Sequence, residues 1–96
     1  MIVSYGDQAT EDFHKGIASR HSRTIPDQIE RVTLRVLDRL QAAAKLSDLK
    51  SPGLSLERLD DYPGMHAIRV NRQYRVIFRF QEGNAHEVQI SKHYNR

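Results

Sequence analysis

Between Ile68 and Ile90 the sequence adopts a period of two, and this alternation limits the possible folds more than any other feature. Ile68 and Val70 share one parity, Val76, Phe78 and Phe80 continue it, and Val88 and Ile90 close it. The intervening positions are Arg69, Arg75, Ile77, Arg79, Glu87, Gln89 and Ser91. Successive side chains of a strand point to opposite faces, so the pattern predicts strands buried on one side. Polar breaks at Asn71-Arg72-Gln73 and Glu82-Gly83-Asn84 suit hairpin connections. An antiparallel meander follows, with an apolar face that something else must cover.

The first half of the chain supplies the cover. Residues 2–5 lean towards a short first strand. Asp7 is placed to cap a helix running to about Gly16, with Ala9 and Phe13 four apart on one face. Residues 18–24 are polar and read as a loop. Pro26 suits the first turn of a second helix, and Asp27 and Glu30 put negative charge near its start. Ile29, Val32, Val36, Leu40 and Ala43, widened by Leu37, form an apolar stripe, while Arg31, Arg35 and Arg39 fall on a solvated face. The helix is expected to end near Ala44. Ser51-Pro52-Gly53 and Tyr62-Pro63-Gly64 mark turns on either side of Leu56-Glu57-Arg58-Leu59, a short strand or bend. The outline is α+β: a strand and two helices, then three or four antiparallel strands.

Composition excludes several classes. At 96 residues the chain is expected to form one domain. It holds no cysteine, so neither a disulfide framework nor a thiolate metal site is available. The five histidines show no close ligand spacing, and no metal or other cofactor is expected. The N-terminus does not read as a signal peptide and no window is apolar enough for a membrane span, so a cytoplasmic protein is expected. A net charge of +3 makes a polyanionic partner plausible without demanding one.

The placement of that charge is more informative. Between His66 and Phe80 there are four arginines and no acid. Arg69, Arg75 and Arg79 have the parity opposite to the apolar residues, a one-sided field suited to a phosphate backbone. Antiparallel sheets often leave one face in water, and a solvated strand face would read the same way. Lys92, His93 and Tyr94 follow the last strand. Cleaving RNA through its own 2′-hydroxyl needs a base, an acid and cations for the charge on phosphorus, and these residue types can supply them. Their plain alternative is a frayed polar end. Glu57, where the chain approaches the sheet, is another candidate base or else an ordinary surface acid.

Several segments together resemble one family, the HigB/RelE-type toxins of bacterial toxin–antitoxin systems. Residues 67–80, A-I-R-V-N-R-Q-Y-R-V-I-F-R-F, are similar to the family hairpin S-I-R-I-N-D-Q-W-R-I-C-F-R-W. Glu87-Val88-Gln89-Ile90 resembles its last strand, Ser22-Arg23-Thr24-Ile25-Pro26 the lead into its second helix, and residues 42–49 its A-A-x-x-L-x-D-L. Met1-Ile2-Val3-Ser4-Tyr5 resembles the start M-I-x-S-F, so the likeness covers nearly the whole chain.

The resemblance implies a RelE-like microbial RNase fold and metal-independent cleavage of mRNA on the ribosome. It implies a helix-turn-helix antitoxin of the HigA type as partner, through which operator DNA would be bound. Arg75 matches a phosphate-stabilising arginine of the family, and Arg69 the basic residue of the preceding strand. Lys92, His93 and Tyr94 align with a C-terminal D-Y-H in permuted order, and Glu57 stands where some members carry a catalytic histidine. The candidates are therefore Arg75, His93, Tyr94, Lys92 and Glu57 for catalysis, and Arg69, Arg72, Arg79 and His66 for RNA contact. Two other readings remain open: a gyrase poison of the ParE type on the same fold, and a degenerate toxin that only binds its antitoxin.

Overall fold

The computed structural model describes residues 1–92. Helix α1 spans Gln8–Lys15. The Asp7 carboxylate caps it by accepting from the Thr10 amide at 2.8 Å, satisfying one of the donors a helix start leaves open. Behind Pro26, one 3₁₀ turn at Asp27–Ile29 leads into helix α2, Glu30–Ala42. Two further 3₁₀ turns, Ser22–Thr24 and Leu46–Leu49, lie in stretches that the sequence left as connections.

Four strands follow: β1 Leu56–Arg58, β2 Met65–Arg69, β3 Tyr74–Gln81 and β4 Asn84–Lys92. They form one antiparallel meander in the order β1-β2-β3-β4. At the β2–β3 connection the Asn71 side chain accepts from the amides of Gln73 and Tyr74 at 2.8 and 2.7 Å. The β3–β4 connection carries positive φ at Glu82 (52°) and Gly83 (80°), the twist that suits a two-residue hairpin. Gly83 is needed for a second reason, because a Cβ there would stand 2.9 Å from the Ala44 carbonyl oxygen.

The core lies between α2 and one face of the sheet. Val36, Leu37 and Leu40 of α2 meet Ile68, Val76, Phe78, Ala85 and Val88, and the 3₁₀ turn after α2 adds Leu49. Ile29 and Ala43 are buried as the apolar stripe requires. The stripe is rotated slightly from its expected centre: Thr33 is fully buried and Val32 only half-buried. Arg31, Arg35 and Arg39 are exposed.

The stretch expected as a first strand runs parallel along the edge of β4, touching it through two isolated bridges, Ile2–Ala85 and Tyr5–Val88. It stays short of a regular strand because β4 is bulged where the two meet. The register shifts between Ile77 and Arg79, and Glu87 has a φ of 54°. Helix α1 is tied to the same edge, since Thr10 Oγ1 accepts from the Ile90 amide at 2.9 Å. None of the described helices is long and apolar enough to cross a membrane.

Candidate nucleic-acid interface

With both helices on one side of the sheet, the opposite face is left open, and the ladder register arranges its side chains in rows. Directly opposed residues share a face. Arg69 of β2 opposes Arg75 of β3, and Arg75 opposes Ser91 of β4. The next row runs Glu57, Ala67, Ile77 and Gln89 across all four strands. The third holds Met65, Arg79 and His86.

The first row carries the electrostatic argument. Like charges directly opposed across two strands destabilise a sheet, so the Arg69–Arg75 pair makes sense where an anion is to be held between them. Arg75 is half-buried, and its Nε has no hydrogen-bond partner among the described residues although the atom is shielded from solvent. A buried donor left unpaired is costly. Glu57 is brought alongside, its Oε1 3.7 Å from Arg69 Nη2. Both side chains remain accessible, at 57% for Arg69 and 44% for Glu57. A carboxylate and two guanidiniums therefore stand together on an open face.

The remaining candidates divide. Arg72 is exposed at the tip of the β2–β3 hairpin, beyond the first row. Arg79 lies at the other end of β3 and is engaged by Glu87, Nη2 to Oε2 at 3.1 Å. His66 opposes Arg58 and Phe78 and stacks on the Phe78 ring with centroids 6.0 Å apart, so it belongs to the core side. Burial pushes its pKa below the ordinary value of 6.5; the backbone at Gly64 opposes that shift, and the nearby positive charges of Arg58 and Lys50 add to it. Lys92 opposes Tyr74 at the end of β4, with the parity of Val76 and Ile90. His93 and Tyr94 lie outside the described residues. No cluster of three or more histidine, acidic or cysteine side chains is assembled among the described residues.

Glu87 was not singled out by the alternation, although a signal for it was present. Ala85, Val88 and Ile90 are the inward residues of β4, spaced three and then two apart, and that slip marks an extra residue in the strand. A further polar chain lies on the helical side, where Tyr5 Oη and His14 Nδ1 are hydrogen-bonded at 2.7 Å and His14 Nε2 stands 3.3 Å from Asp38. It joins the N-terminal stretch, α1 and α2, well apart from the arginine rows. Burial raises the Tyr5 pKa above its ordinary value.

Comparison with known proteins finds relatives along nearly the whole chain. The sequence model of one family, described as the RelE-like toxin of the type II toxin–antitoxin system HigB, matches residues 4–93. The protein named Toxin HigB-1 of Vibrio cholerae is 36% identical over 95 residues, which cover 97% of this chain and 98% of that protein. An uncharacterised protein of Haemophilus influenzae is 35% identical over 75 residues, 76% of this chain and 73% of the relative.

Proposed function

Because this chain belongs to the RelE-like HigB toxins of type II toxin–antitoxin systems, we propose that it acts as a ribosome-dependent mRNA endonuclease. The observation that carries this reading is the directly opposed Arg69–Arg75 pair with Glu57 beside it on the open face of the sheet.

The chemistry needs no group beyond the chain and the RNA. The ribose 2′-oxygen attacks the adjacent phosphorus while a base takes its proton. The bond to the 5′-oxygen breaks, leaving a 2′,3′-cyclic phosphate, and an acid protonates the departing oxygen. Glu57, oriented by Arg69, is the base that the described residues offer. Arg75 and Arg69 take the charge that builds on the phosphoryl oxygens, and fixed cations of this kind are most effective where charge develops. His93 and Tyr94 are assigned the acid and a ring for stacking on a base, whereas Lys92, with the parity of Val76 and Ile90, is left outside the arginine row. Arg72 extends the basic surface beyond the hairpin tip.

Membership of a toxin–antitoxin family implies a cognate antitoxin. We assign that role to a HigA-like helix-turn-helix protein, through which the complex would contact operator DNA. The ribosome and its mRNA are the targets, which places the activity in the cytoplasm.

The test is coupled translation with purified protein followed by primer extension on the mRNA. Discrete cuts in register with codons are expected, absent without ribosomes and lost in a folded Arg75→Ala variant. Intact mRNA with normal protein synthesis overturns the nuclease reading, and a DNA supercoiling assay then tests gyrase poisoning.

A further inference from the structure

Glu87 takes no part in that chemistry, yet it is held in an expensive conformation on the same face. Its φ of 54° lies in the left-handed region, one of two non-glycine positions in the described chain to do so. The other, Glu82, sits in a hairpin turn, where positive φ is ordinary. Glu87 sits within a strand. Its surroundings leave it no other choice: its amide donates to Ser4 Oγ at 2.8 Å, and its carbonyl oxygen packs against Gly6, where a Cβ would stand 3.0 Å away. The N-terminal stretch thus clamps the bulge along the sheet edge. The Glu87 carboxylate reaches Arg79 at 3.1 Å.

Stability does not account for an acid here. Glycine or asparagine would accept this backbone more readily. The ion pair is open to water, with Arg79 39% and Glu87 53% exposed, and such pairs contribute little to folding. A strained residue kept in place by its neighbours points to a role outside folding. Arg79 is four residues from Arg75 on the same face, about 13 Å along β3. The half-buried Ile77 lies between them and His86 directly opposes Arg79. A carboxylate and a phosphate present the same paired oxygens to a guanidinium.

We propose that Arg79 is a second phosphate subsite for RNA lying along β3, and that the Glu87 carboxylate occupies it until a phosphate displaces it. The inference rests on the RNA reading above and adds to it an internal competitor. That competitor lowers affinity for any polyanion and favours RNA that also engages the Arg69–Arg75 row.

The experiment is fluorescence anisotropy with a labelled single-stranded hexanucleotide whose 2′-hydroxyls are replaced by hydrogen, so that it binds without being cut. Glu87→Gln is expected to bind about 2- to 5-fold tighter in low salt, the scale of one partly screened charge, with the gain fading as salt rises. Glu87→Gly, which suits the backbone, should gain equally and guards against a folding artefact. Arg79→Gln should flatten the salt dependence by about 0.7 in logarithmic slope. In the Arg79→Gln background, Glu87→Gln should gain nothing. An equal gain with and without Arg79 means a bulk charge effect and overturns the subsite while leaving the RNA reading intact. Absence of binding by every variant, or binding that survives Arg69→Gln with Arg75→Gln undiminished, overturns this inference, while the nuclease reading is decided separately by the primer-extension assay with ribosomes.

Discussion

Replacing Arg75 by methionine should make the protein more stable and nearly inactive, and the two effects have one structural cause. Methionine keeps an apolar stem against the sheet and removes the guanidinium. The charge opposed to Arg69 disappears, which relieves about 0.2–1 kcal/mol of cross-strand repulsion. The buried Nε without a partner also disappears; a wholly buried orphan donor costs about 1–3 kcal/mol, and the half-exposed side chain puts this one near the lower end. Together these give a gain of about 1–2 kcal/mol, or about 5–10 °C in Tm for a domain of this size. The repulsive part should shrink in 0.5 M salt. Cleavage should fall by about 10²–10³, the usual effect of removing one group that stabilises developing charge. Arg75→Lys keeps the charge and deletes Nε, so its melting temperature separates the two contributions. The assays are thermal melting by circular dichroism in low and high salt, and primer extension at matched folded protein. A variant that melts below wild type, or one that still cuts within about threefold of it, refutes the reasoning, since Arg75 would then be a packing residue.

Two further outcomes follow from other parts of the structure. Gly83→Ala should destabilise by about 2–3 kcal/mol, from the left-handed backbone and from contact with the Ala44 carbonyl; a urea midpoint unchanged from wild type would show that the hairpin can shift away. His66 is neutral by preference in the folded state because burial depresses its pKa. Folding then excludes a proton that the unfolded chain accepts, so its contribution is complete above about pH 7 and lost as pH falls below the ordinary 6.5 towards the folded-state value. Wild type should lose stability relative to His66→Phe between pH 7 and 5, measured as urea midpoints, whereas parallel declines would remove His66 as the cause.

Much of this protein could be read directly from its sequence. The period of two placed Arg69, Arg75 and Arg79 on one side of the sheet and Ile68, Val76 and Phe78 on the other, because strand geometry leaves no alternative. His66 and Lys92 were offered as site residues beside those arginines, but they share the parity of Ile68 and Ile90, and the structure puts them on that side, away from the arginine rows. The cap at Asp7, the glycine stop at Gly16 and the arginine face of α2 are local and were legible for that reason. Register is not local. That Arg69 meets Arg75, with Glu57 one row away on a third strand, depends on hairpin and loop geometry, which sets the partner of each residue. The left-handed turn at Glu87 depends on Ser4 and Gly6, more than eighty residues away in the chain. Sequence alone decided which residues could share a face; tertiary packing decided which of them meet, because that choice is made by contacts between segments that no local pattern encodes.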